Sequence, residues 1–233
     1  MMTAMSINFF ALRVFSELFE VSAFIEMFDN TLPASECRAD EALRQLAEEE
    51  QWDFNEYQVE RDQLAANYRL SFPRLAAYSV VVILYSVVET RLLAIAERIG
   101  RDSAFRVQDM GGPRGIDRSR LYILRVMGLD LTKNPGWKTV KDLQSLRNII
   151  AHRGGQEGET SKQRDEVRRL VDTYNPNLRL ELNVFGSEIW VSMRLCRQLA
   201  QGVEVFFKHL FKYAVLPYGG VPFDDGDPAP GCG

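Results

Sequence analysis

Histidine and cysteine are scarce in this chain. Two histidines, His152 and His209, and three cysteines, Cys37, Cys196 and Cys232, are spread over 233 residues. The cysteines form no CxxC pair and no Cys/His cluster, which excludes a structural zinc site and a disulfide framework, and their odd number favours a reducing compartment. With so few ligands, no metal site and no cofactor is expected. Also missing are GxSxG, GxxxxGK[ST] and GxGxxG, the signatures of α/β-hydrolases, P-loop enzymes and dinucleotide-binding folds. The opening residues, Met1 to Ser6, carry no basic stretch and no cleavage signature. The most apolar run, Tyr78 to Val88, is about half as long as a membrane span. These absences predict a cytoplasmic protein without a membrane segment.

The composition is that of a soluble globular chain, 46% hydrophobic and 26% charged. A net charge of −4 gives no overall reason to expect a polyanionic partner, but the distribution is uneven. Glu17 to Asp62 holds 14 acidic and 3 basic residues, whereas Arg98 to Arg153 holds 12 basic and 5 acidic ones. One reading is an acidic solvated face beside a region that attracts phosphates; the other is ordinary charged helices facing water.

The periodicity is mostly helical. Phe9, Leu12, Phe15, Phe19 and Phe24 recur at helical spacing over 6–30, and a second, acidic helix is expected from Pro33-Ala34-Ser35-Glu36 to about Asn67. Ser71-Phe72-Pro73 is read as a boundary, with the proline in the first turn of a very apolar helix over 73–99. Glu89 is the exception in that helix, and either meets a cation or faces the open side. Gly111-Gly112-Pro113-Arg114-Gly115 reads as a surface loop or as a nest of amides for an anion, although it matches no phosphate-loop pattern. Short helices are expected at 117–127 and 163–174, and a further one from 137 to 152 that stops at Gly154-Gly155. Residues 154–163 read as polar and mobile. Alternation over Leu178–Val184 and again at Ile189-Trp190-Val191 predicts a hairpin before a last helix at 192–214. The proline- and glycine-rich stretch from Leu216 is expected to be disordered. Three regions follow: an N-terminal helical extension at 1–70, a bundle at 71–215 and a tail at 216–233.

Chemistry concentrates at the end of the 137–152 helix. Asn148 and His152 are four residues apart and share a face, with Ser145 one turn earlier. Arg147 lies five residues before His152, about 140° round the helix, yet its side chain is long enough to reach the polar end. An imidazole moves protons near neutral pH, and a guanidinium holds phosphate oxygens through a planar fork. The competing reading is a capping network, in which His152 interacts with the helix dipole. His209 sits among aromatic residues and reads as a packing or surface histidine.

Leu146-Arg147-Asn148-Ile149-Ile150-Ala151-His152 resembles the R-N-x-x-x-H form of the Rx4–6H motif of the HEPN superfamily. Trp137-Lys138-Thr139-Val140 before it, the Gly154-Gly155 stop after it, and Tyr85-Ser86-Val87-Val88-Glu89 on the apolar helix are similar to that family's surroundings of the motif. The resemblance covers about 70–215 and is strongest at 137–155. It implies an all-α, HEPN-like antiparallel helical bundle that forms a homodimer, with two Arg/His pairs in one cleft. It also implies a metal-independent endoribonuclease acting as a toxin or phage-defence effector, with RNA as substrate and an antitoxin or defence protein as a further partner. On that basis Arg147 binds the scissile phosphate, His152 transfers protons, and Asn148 and Glu89 support the site. The branch of the family silenced by nucleotidyl transfer has a tyrosine two residues after the histidine, where this chain has Gly154, so control of that kind is not expected. The alternatives are a non-catalytic HEPN module that binds nucleotide, RNA or protein, and a helical scaffold that uses the acidic 34–67 helix.

Overall fold

The structure is a computed structural model. It describes residues 2–100, 103–184 and 186–214, with side chains from residue 10 onward except those of 183, 213 and 214. The expected tail from Leu216 and Cys232 lie outside the described residues. The described chain is all-helical apart from one hairpin, in the order α1 (Met2–Glu49), α2 (Phe54–Ala66), α3 (Phe72–Ile99), α4 (Ile116–Met127), α5 (Trp137–Arg153), α6 (Ser161–Tyr174), β1 (Leu178–Asn183), β2 (Gly186–Val191) and α7 (Met193–Ala214). The all-α expectation, with a small hairpin before the last helix, holds.

The N-terminal third departs from its sequence reading. Instead of two helices meeting at Pro33, α1 runs through that proline. A proline inside a helix leaves the carbonyl four residues back without its donor, and here Asp29 and Pro33 are exposed, so water can meet that carbonyl. The real start signal is Asp53. Its carboxylate accepts from the backbone N–H of Asn55 and Glu56, and Glu56 accepts from the Asp53 N–H in return, a reciprocal cap that begins α2. Nor does Ser71-Phe72-Pro73 end a helix. A π turn over Asn67–Ser71 joins α2 to α3, and the Phe72 N–H donates to the Asn67 carbonyl five residues back. The widened turn lies just ahead of the proline that has no N–H to offer.

The buried face of α1 also differs. The aromatic stripe is largely outside, with Phe19 72% exposed, while Val14, Leu18, Val21 and Ile25 enter the core. Both stripes have helical spacing, so periodicity alone does not choose between them. The first half of α1 therefore belongs to the bundle, and from residue 26 to residue 75 no side chain is buried.

At the centre is α3, with Ala77, Val80, Val81, Leu84, Val88 and Leu92 fully buried against α1, α4, α5 and α7. The continuous stretch Phe54–Ile99 is long and apolar enough to cross a membrane, and half of its apolar window is buried inside the bundle. Arg91 of α3 pairs with Glu17 of α1. Cys196 is buried on α7, donates to the Ala77 carbonyl, and has its thiol pushed up to about 12 by burial.

Two clamps hold α5. At its start, Asn134 donates to the Phe206 carbonyl and accepts from the Gly136 N–H, while Trp137 packs against Phe206. In its middle, Asp142 is only 2% exposed and accepts from Lys138, and from Arg169 and Tyr174 of α6. Burial alone would raise its pKa; the three donors outweigh burial and hold the carboxyl below its ordinary range. A depressed folded-state pKa stabilises the native chain fully above pH about 4, and that contribution is lost as the pH falls further. We expect Asp142→Asn to cost about 1–3 kcal/mol at neutral pH. The gap from the parent in urea melts should narrow at pH about 3; a gap that is the same at both pH values contradicts this account.

Candidate active site

The C-terminal end of α5 is built by glycine. Gly154 takes a left-handed φ of 62° and its N–H donates to the Ile150 carbonyl, while the Gly155 N–H donates to the Ile149 carbonyl. These two bonds satisfy carbonyls that a helix end otherwise leaves bare. Beyond them the chain is not loose, contrary to the sequence reading of 154–163. The Ile189 N–H donates to the Gly155 carbonyl and the Glu157 N–H to the Ser187 carbonyl, so 155–157 pairs along β2. Thr160 and Gln163 then cap α6 reciprocally.

β2 is in turn fastened to α3. Glu188 accepts from Arg74 and from the Tyr78 hydroxyl, which lies 2.7 Å from the Ile189 carbonyl. Burial, and then the Glu188 carboxylate, push the Tyr78 hydroxyl well above its ordinary range, so it stays a donor. Since Tyr78 meets the end of α5 and Tyr85 meets its middle, the two helices run antiparallel.

On this frame Arg147 and His152 come together. Arg147 Nη1 lies 3.0 Å from His152 Nε2 and donates to Asn148 Oδ1 at 3.1 Å. Arginine offers only donors, so Nε2 is the acceptor and the neutral ring carries its proton on Nδ1. Asn148 and His152 are exposed and Arg147 is half-buried, which leaves the guanidinium's other donors and the imidazole open to a ligand. The helix wheel set Arg147 well round from His152; its side chain closes that gap, as its length allowed.

Glu89 is half-buried. It reaches the motif indirectly, accepting from the Tyr85 hydroxyl at 3.3 Å, while the Arg147 Cζ lies 5.3 Å from the centre of the Tyr85 ring. Burial, then Glu89, push the Tyr85 hydroxyl up, against the opposing effects of Gln144 and Arg147. The glycine loop is no free anion nest: its last residue, Gly115 with φ 63°, packs against the Glu89 carboxylate. Lys141 Nζ sits 3.0 Å from Asp117.

Other sequence candidates lie apart from this group. Ser145 shares the motif face but donates to Glu166 of α6 at 2.7 Å. His209 is half-buried on α7. Among the described residues no three His, Cys, Asp or Glu side chains gather as a metal set. Tyr85 has no role in the sequence pattern beyond membership of the Tyr85–Glu89 stretch; the signal for it is an aromatic four residues before Glu89 on a very apolar helix. No family model matches the chain, and neither a curated protein nor a solved structure matches it.

Proposed function

We propose that this chain is a metal-independent endoribonuclease of HEPN type, a cytoplasmic toxin or phage-defence effector. The observation that carries the reading is the 3.0 Å contact between Arg147 and His152 at an exposed helix end, within a stretch whose net charge is +7. A guanidinium and an imidazole at one point suit a phosphodiester: the first neutralises phosphate oxygens, and the second moves a proton. As Arg147 turns to the phosphate it releases the Nε2 lone pair of one imidazole, which takes the proton of the RNA 2′-hydroxyl as that oxygen attacks phosphorus. The bond to the 5′ oxygen breaks, and that oxygen takes a proton from a second, protonated imidazole. DNA lacks the attacking hydroxyl.

One chain offers a single exposed histidine at the motif, so the active unit we propose is a homodimer with two copies of Arg147 and His152 in one cleft. A surface beside the motif suits that assembly. Phe72, Leu75, Val82, Ile83 and Leu93 form an exposed apolar stripe on α3, and Tyr85 and Glu89 are helical neighbours of Val82 and Leu93. A stable interface of this kind needs at least about 1,000 Å², enough apolar contact to offset repulsion between two basic regions.

His152→Ala and Arg147→Ala should each lower RNA cleavage by roughly 10²–10⁴-fold with unchanged circular dichroism, and Asn148→Ala by less. Retention of full activity in either removes the assignment. If the parent chain retains RNA on a filter but never cuts it, the non-catalytic reading holds instead.

Cleavage should persist in EDTA and leave 2′,3′-cyclic phosphate and 5′-hydroxyl ends. Strict dependence on magnesium, or 5′-phosphate products, speaks against attack by the 2′-hydroxyl.

Mixing parent chains with His152→Ala chains tests the shared cleft. Mixed dimers keep one imidazole where the reaction takes two, so activity should fall below the share of parent chain in the mixture. Full activity from a species that sediments as a monomer at assay concentration rules the dimer out.

A further inference from the structure

We infer that Tyr85 is a positioning residue of this site: its ring face steers the Arg147 guanidinium along α5 to His152, and Glu89 and Gly115 fix the ring. The activity arm of the argument rests on the ribonuclease reading; the geometric arm does not. Arg147 starts about 140° round the helix from His152, and an arginine free in water samples many rotamers. Here a surface lies under it. The guanidinium carbon is 5.3 Å from the centre of the Tyr85 ring, within the range over which a cation is drawn to an aromatic face.

That surface is itself held. Tyr85 is 5% exposed, so its ring cannot swing out. Its hydroxyl donates to Glu89 at 3.3 Å. The loop closes from the far side at Gly115: a Cβ there would stand 2.7 Å from Glu89 Oε1 and 3.3 Å from the Tyr85 hydroxyl oxygen. Only a residue without a side chain, at a φ of 63°, lets the backbone come so near. Glu89 thus serves the motif through Tyr85, which accounts for a carboxylate placed beside a phosphate-binding arginine without pairing to it.

Nitrogen-15 NMR of the imidazoles in the full chain reads the arrangement directly, and with two histidines a His209→Gln variant assigns the signals. At pH about 8, above the ordinary histidine range, the parent His152 should carry its proton on Nδ1, since Arg147 occupies Nε2. Tyr85→Leu should move that proton toward Nε2 and lower kcat about ten-fold, with KM changed less. Tyr85→Phe keeps the ring face but not the bond to Glu89, so its tautomer shift and its loss of rate should both be smaller than those of Tyr85→Leu. A folded Tyr85→Leu chain with the parent tautomer overturns the inference. If that chain does not fold, Glu89→Ala decides, because it removes the carboxylate that fixes the ring without emptying the core; an unchanged tautomer there overturns the inference as well. A parent that never cleaves RNA while Tyr85→Leu still shifts the tautomer removes the ribonuclease reading and leaves the positioning role standing.

Discussion

The position of His152 depends on how closely Gly155 approaches Tyr78. A Cβ at residue 155 would stand 2.1 Å from the Tyr78 hydroxyl oxygen, and the backbone there has a φ of 94°. Both facts demand glycine. Because that glycine fits, the end of α5 can turn under the helix, pair with β2 and leave His152 on the outside of the turn. The same hydroxyl bonds Glu188 and the Ile189 carbonyl, so one phenol joins the central helix, the hairpin and the motif helix. Glu188 completes the joint with Arg74, as a half-exposed pair that on its own would contribute little. What makes the joint stiff is that its bonds share atoms, so that none can move alone.

A site on such a frame differs from a histidine that merely caps a helix. A capping imidazole needs only the dipole and the last carbonyls, and in α5 the Ile149 and Ile150 carbonyls are already taken by the two glycine N–H groups. His152 is therefore not required for the helix to end, and its ring is turned to Arg147 instead. The burial of Leu143 and Leu146 on the opposite face sets the rotation of the helix, and Asp142, bonded to both Arg169 and Tyr174, keeps it from turning about its own axis. Core packing and one buried carboxylate thus decide which way Arg147, Asn148 and His152 point.

The sequence made some of this legible and not the rest. Gly154-Gly155 marked the helix end because glycine is the residue that a left-handed stop favours, and alternation marked the hairpin because a half-buried strand has a period of two. The motif face followed from a spacing of four. The buried face of α1 did not follow, because Val14-Leu18-Val21-Ile25 and the aromatic stripe have the same period and the choice belongs to α3 and α7. Pro33 misled because a proline's cost of about 3 kcal/mol is a local quantity that a long helix packed at one end can absorb. Tyr85 escaped notice as a participant since its part depends on Gly115, thirty residues later, and no local pattern encodes that meeting.

Stability across the chain is uneven for the same reasons. The second half of α1 and all of α2 bury no side chain, and thirteen residues of α2 are near the length at which a helix in water is marginal. Among what joins them are the Asp53 cap, a hydrogen bond between Arg44 and Tyr57, and the pairs Arg61–Asp40 and Arg69–Glu36, in which the arginines are exposed. Such pairs contribute less than about 1 kcal/mol each. The acidic segment between them adds self-repulsion that grows as salt is lowered. This arm must open at a lower free energy than α3, α5 and α7, whose buried faces share one core. Its opening leaves the motif intact, because the clamps on α5 come from α7, α6, the hairpin and the part of α3 beyond Pro73, and none of them passes through the arm.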